Sequence, residues 1–233
     1  MSGIASGYSI RLGRVMTRKV ERDLPIFPLG VVYFPGFPIR LRIFEERYKL
    51  MLADIQPTDS MFGVALIRHG KEVGGPALPY DMGTVAEITK TEDSAPGRIS
   101  VAAVSGQRFR IIETLRYKPY IVARVELLDL ETNVGIPNEL LNTAKMAFEE
   151  YLRCRLILAG GWARNIEAAP DGVYLSYLIA DSITDNPKIH QGLLEIGGPE
   201  DRLHKEIDLL KKATDDLRER LTREGPISGF SSN

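Results

Sequence analysis

The chain holds a single cysteine, Cys154, among 233 residues. That excludes an intrachain disulfide and any cysteine-based zinc site assembled within one chain. It fits a reducing compartment, and a place in a predicted helix makes Cys154 a small apolar core residue rather than a reactive thiol. An excess of one charge is also missing: 30 Lys+Arg stand against 31 Asp+Glu. Dedicated nucleic-acid binders carry a basic excess, because neutralising phosphates drives their binding. No apolar run approaches the roughly 18 residues of a membrane span; Leu156–Ala159 is broken at once by Gly160-Gly161. The first 20 residues contain Arg11, Arg14, Arg18 and Lys19, with no acid and no apolar signal-peptide core. They read as a flexible tail over residues 1–22, with Met16 as an alternative start and a transit peptide as the competing reading. The expected location is the cytoplasm.

Catalytic signatures are absent too. A P-loop needs two glycines four residues apart, then Lys and Ser/Thr, so that amides and a hydroxyl surround phosphate and magnesium. The nearest approach, Gly63 to Glu72, separates its glycines by six residues and puts a carboxylate where the hydroxyl belongs. There is no Gly-x-Ser-x-Gly, His-Glu-x-x-His or Gly-x-Gly-x-x-Gly. His69, His190 and His204 are scattered, the last two on predicted helices where they face solvent. No catalytic residue, cofactor or metal is expected; a hydrolase assembled from distant residues stays open as an alternative.

What is present is a chain of two periods. With 44% hydrophobic and 26% charged residues it can bury a real core. Residues 24–29, 38–43, 61–67, 85–90, 99–104, 108–115 and 120–128 read as short strands with Gly/Pro punctuation. Pro25 and Pro28 lack amide donors, which predicts an edge or irregular first strand. Phe44, Tyr48, Met51 and Ile55 recur at helical spacing, predicting one short helix with these four on its buried face. The outcome is a curled, mostly antiparallel sheet, a small barrel or sandwich. After Pro137 the period turns helical over 140–159, 173–182, 188–196 and 200–222. The last helix carries the seam Leu203, Ile207, Leu210, Thr214, Leu217 and Leu221, which fits a helix laid on a bundle better than an intermolecular coiled coil.

Five stretches, in order, resemble the N-terminal domain family of Lon-type proteases. They are Leu24 to Gly36 (LPIFPLGVVYFPG), Pro38 to Tyr48 (PIRLRIFEERY), Met82 to Ile88 (MGTVAEI), Gly106 to Ile111 (GQRFRI) and Pro119 to Glu126 (PYIVARVE). Ala180-Asp181, Gln191 to Glu195 and Arg202-Leu203 are similar to the family's helical extension. The resemblance runs from about Glu21 to Arg223. It implies an α+β fold: a PUA-like small antiparallel β-barrel or sheet with one short helix, followed by a C-terminal helical bundle. The expected boundaries are 23–131 for the β-domain and 137–224 for the bundle, with a flexible tail over 225–233.

In full-length Lon proteases this region recognises substrate ahead of an ATPase and a Ser-Lys peptidase, neither of which is found here. The implied function is a non-catalytic module for unfolded or tagged polypeptides, an adaptor or regulator of proteolysis with a protease as partner. Phe34 and Phe37, in the Val31–Phe37 loop, are the candidate polypeptide contacts, on the expectation that exposed apolar residues there form a patch. Gly36, Gly83 and Gly106 are expected at turns or bulges, and Arg47 and Arg108 as ties between strands and carboxylates. The alternative is RNA binding, since other PUA-like folds hold RNA. Its candidates are Arg108 and Arg110, on one strand face, with Tyr117 to stack a base.

Overall fold

Alternation of apolar and polar residues carries the first half of the chain into a sheet, and the switch of period after Pro137 carries the second into helices. The computed structural model describes residues 20–161 and 171–224. Most of the expected N-terminal tail and the whole tail over 225–233 lie outside the described residues. The elements are β1 (Val20–Leu29), β2 (Pro38–Ile43), α1 (Glu46–Ile55), β3 (Met61–Gly70), β4 (Ala77–Ala95), β5 (Arg98–Arg116) and β6 (Ile121–Leu127). Four helices follow: α2 (Asn138–Leu158), α3 (Gly172–Ser182), α4 (Pro187–Leu194) and α5 (Pro199–Glu224).

The six strands form one mixed sheet in the order β2-β5-β4-β3-β1-β6, with β6 also pairing back onto β5. The expectation of a small antiparallel barrel is corrected: this is a coiled mixed sheet, because β1 and β3 run parallel. A parallel pair needs a long crossover, and the segment holding β2 and α1 supplies it. The segments expected at 99–104 and 108–115 are one continuous strand, β5, whose first half pairs with β2 and second half with β6.

Prolines explain how β1 is used. It lies between β3 and β6, not at the edge expected, yet each half has one neighbour. Residues 20–26 pair with β6, and 26–29 pair with β3. Pro25 and Pro28, which cannot donate to a ladder, therefore each need only one satisfied side. The second half of β1 is left open on the side away from β3.

Three apolar clusters hold the layers. Phe27, Ile39, Met51, Phe62 and Val101 pack under α1. Leu24, Ile26, Phe109 and Val125 pack between β1, β5 and β6. The third joins helices to sheet: Leu175, Ile179, Leu203 and Leu210 meet Phe34, Leu66 and Met82. Each fully buried Leu or Phe stabilises by about 1.5–3 kcal/mol relative to exposure. Cys154 is buried in α2. Asp171 caps α3 by accepting from the Tyr174 amide, and Asn186 caps α4 by accepting from the Lys188 amide. On α5, Leu203, Ile207, Leu210 and Thr214 are buried and Leu217 packs against the same cluster, so the seam is spent within the chain.

Buried charge ties the layers more specifically. Arg202 on α5 is fully buried and donates two bonds to the Glu131 carboxylate, at 3.0 and 2.6 Å. Arg108 on β5 pairs with the same carboxylate and donates to the carbonyls of Leu194 and Ile196, at 2.7 and 2.6 Å. Burial works to raise the Glu131 carboxyl, but the hydrogen bond and charge of Arg202 and the charge of Arg108 hold it below the ordinary range. Glu206, one turn along α5, shows the opposite balance. Burial pushes its carboxyl well above the ordinary range, with Arg202 and Ser176 opposing. Its Oε2 has no hydrogen-bond partner.

These two carboxyls are expected to respond differently to neutralisation. Glu131→Gln removes the carboxylate that two buried guanidiniums share, leaving Arg202 only Glu206 at 3.8 Å, and should cost about 3–5 kcal/mol in urea unfolding. Glu206→Gln should change stability by less than about 1 kcal/mol below pH 4.5, where the carboxyl it replaces is neutral in the folded and the unfolded chain alike. A raised native pKa means stability is lost as pH climbs above the ordinary 4.5 towards the native value. Wild type should therefore lose stability relative to E206Q over that rise; parallel curves would contradict the assignment. The Glu131 contribution has the opposite sign, present above 4.5 and lost as pH falls through the depressed native pKa.

Glycine positions give a second check. Gly83 is not at a turn but within β4, where an added Cβ would stand 2.2 Å from the Val64 carbonyl oxygen and 2.7 Å from the Phe109 ring. Gly106 lies within β5, where the nearest atom to such a Cβ is 3.6 Å away. Gly83→Ala should cost about 1–3 kcal/mol through strand displacement, whereas Gly106→Ala should leave the urea midpoint nearly unchanged.

Candidate functional site

The structure disperses the sequence candidates. Phe34 is fully buried, and Phe37 is half-buried with its ring stacked on Tyr174 of α3. Ser105 holds this turn from beneath: its hydroxyl donates to the Phe34 carbonyl, and its amide donates to the Phe37 carbonyl. Gly36, at φ +89°, makes the turn possible. Phe34 is thus corrected from a contact residue to an anchor, because the helical layer covers the loop expected to lie open.

The proposed RNA face divides in the same way. Arg108 is buried in the ion cluster, while Arg110 remains exposed on the same strand. Tyr117 is 62% exposed, but Arg116 stacks over Tyr120, at 4.7 Å. Arg108 has no route to a phosphate or a base. His204 faces solvent as expected, whereas His190 is half-buried edge-on to Phe34. Among the described residues, no group of three His, Cys, Asp or Glu side chains could hold a metal ion. No helix among them is long and apolar enough to cross a membrane. The glycine-rich approach to a P-loop is the strand β3, and Glu72 accepts from the Gly30 amide at 2.8 Å.

Another surface assembles instead, between the end of β1 and β2. A cleft of about 240 Å³ is lined by Phe27, Leu29, Val31 and Tyr33 on one side and residues 40–44 on the other. Val31, Phe44 and Val73 line it while remaining 49%, 49% and 53% exposed. Three half-exposed apolar side chains from three separate loops converge there. A second cleft of about 840 Å³ shares the Glu45 and Tyr48 wall and is lined by Pro28, Pro76, Ala77, Tyr117 and Pro119. Burial raises the phenols of Tyr33 and Tyr48, so both present neutral hydroxyls.

The apolar residues are positioned by a polar frame. Arg47 donates to the carbonyls of Gly75 and Glu72 and pairs with Glu45 at 3.0 Å. Glu45 also accepts from the Gly74 amide, and Glu72 accepts from Gly30. Val73 and Val31 are each next to a residue held by this frame, and Phe44 precedes Glu45. Arg47 does not tie a strand to a carboxylate, as expected of it; it joins α1 to the carbonyls of the β3–β4 loop and pairs with nearby Glu45.

Phe44 was misassigned by periodicity. Its spacing from Tyr48 suggested the buried helical face, but Glu45 is the extended N-cap residue, at φ −78° and ψ 133°, and Phe44 lies outside the helix. Phe44-Glu45-Glu46-Arg47-Tyr48 held the available signal: an aromatic just before a charged helix start, followed by an arginine with nothing local to justify it.

Comparison with known proteins places this architecture. Residues 23–212 match the family model of the ATP-dependent protease La (LON) substrate-binding domain. Lon protease 2 of Myxococcus xanthus is 27% identical over 211 residues, covering 88% of this chain and 25% of that protein. The Lon protease of Anaeromyxobacter dehalogenans is 25% identical, with 84% and 24% covered. The chain therefore spans about a quarter of the length of these relatives. Two solved structures share the fold. A Lon N-terminal domain protein from Xanthomonas campestris gives a TM-score of 0.64 at 24% identity, covering 80% of this chain and 98% of that one. The N-terminal domain of a Mycobacterium avium complex Lon protease gives 0.57 at 16% identity, covering 82% and 98%. With the match extending from β1 into α5, the chain belongs to the Lon substrate-binding domain family.

Proposed function

We propose that the chain is a non-catalytic recognition module for unfolded or tagged polypeptide, acting in the cytoplasm as an adaptor or regulator of proteolysis. The observation that carries this reading is the convergence of half-exposed Val31, Phe44 and Val73 on one cleft, held by the Arg47–Glu45–Glu72 frame. Apolar groups kept at a surface by dedicated polar contacts suit a ligand that brings apolar side chains of its own. The substrate-binding description of the family supports the same ligand class. In this reading 23–131 is a PUA-like recognition domain, and 137–224 is the helical support that fixes Phe34 and Arg108 from behind.

Fluorescence anisotropy tests it, using a permanently unfolded polypeptide and a structured RNA, each at low and physiological salt. Saturable polypeptide binding that persists with salt is expected. Val31→Ser with Phe44→Ser should weaken it about tenfold, because each half-exposed side chain completes its burial in the complex. Phe34→Ser should instead lower stability by about 3–5 kcal/mol, as a core truncation does. RNA binding that falls steeply with salt, without polypeptide binding, would replace this reading with the nucleic-acid one.

A further inference from the structure

Among the described residues, β2 stands at the end of the strand order and pairs only with β5. Ser105 donates to the Phe37 carbonyl at 2.9 Å, and the register continues through Ile39↔Ala103, Leu41↔Val101 and Ile43↔Ile99. In an antiparallel ladder alternate residues bond to the partner, so the amides and carbonyls of Arg40 and Arg42 point to the open edge. That edge borders the 240 Å³ cleft, and Phe27 and Leu29 of β1 line its other side.

The side chains specify what fits there. Ile39 and Ile43 are buried, Leu41 is half-buried, and Arg40 and Arg42 are exposed on the other face. Among the described residues, neither arginine makes an ion pair or a side-chain hydrogen bond. A strand added beside β2 shares its two faces, so its inner residues meet Val31, Phe44 and Val73 and its outer residues stand beside two uncommitted guanidiniums. Opposite charges at such cross-strand positions stabilise and like charges oppose. A second copy of β2 would set arginine against arginine and bring Pro38, which has no amide to donate; this edge is blunted against self-pairing.

We infer that the open edge of β2 takes an extended polypeptide segment of alternating apolar and acidic residues, added as a further strand. This rests on the polypeptide-recognition reading and names its ligand class and its mode of binding. Main-chain hydrogen bonds supply sequence-tolerant affinity, and the alternating pockets and arginines supply the preference.

The test uses the full chain and fluorescein-labelled octapeptides in anisotropy titrations. An alternating valine–glutamate peptide is expected to bind more tightly than an alternating valine–lysine peptide. Arg40→Glu with Arg42→Glu should reverse that order, with each preference about three- to tenfold. Only one alternate set of peptide amides faces β2 in a ladder. N-methylation of the glutamate amides or of the valine amides, but not of both alike, should therefore weaken binding about tenfold. Equal tolerance of both methylated peptides, or an unchanged charge preference in the double variant, overturns strand addition. If unfolded polypeptide still binds and loses affinity in Phe44→Ser, only the strand mode has failed. If wild type binds no unfolded polypeptide, the recognition reading falls and this inference falls with it.

Discussion

One carboxylate, that of Glu131, lies between two buried guanidiniums, and the relation of helices to sheet depends on it. Arg108 comes from β5 and Arg202 from α5, while Glu131 belongs to the connection between β6 and α2. Removing three charges from water is costly, and the expense is offset only when geometry and hydrogen bonds are complete. Here they nearly are. The Arg202 head group bonds Glu131 through both terminal nitrogens and Ser176 through Nε, with the Tyr177 ring 4.1 Å away. Apolar packing alone would tolerate small slides of α5 over the sheet; a directional cluster does not.

The same joint stands behind the cleft proposed for recognition. The helical layer takes up Phe34 and Phe37, so the loop leaving β1 is pinned on its inner side. On the outer side the Arg47 frame holds Gly30, Glu72 and Gly75. Between these two sets of contacts the cleft is framed while Val31, Phe44 and Val73 stay half-exposed. The second half of β1 pairs with β3 alone among the described residues, and Pro28 there has no amide to offer a second neighbour.

Much of this was legible in the chain. Helices α2 to α5 stand within about two residues of where period and punctuation place them, because Gly160-Gly161, Pro187 and Pro199 are physical stops. The motif order led to the family. Gly106 falls where the β4–β5 register shifts, with Gly106 and Gln107 both opposite Val85, as a bulge requires, whereas Gly83 marks a close approach of strands. The second outcome was hidden because a glycine in sequence does not say whether it is needed for its dihedral angle or for its missing side chain.

The sequence by itself determined the element types, the family and the shortage of recognisable catalytic motifs, because those depend on local period, spacing and residue chemistry. Only the tertiary structure decided which loop residues face solvent. Arg108 meets carbonyls 86 and 88 positions away, and Phe34 is covered by residues more than a hundred positions along the chain. Phe44 stays exposed because a helix cap intervenes before its face begins. Exposure is set by what the rest of the chain lays over a residue, and no local pattern carries that information.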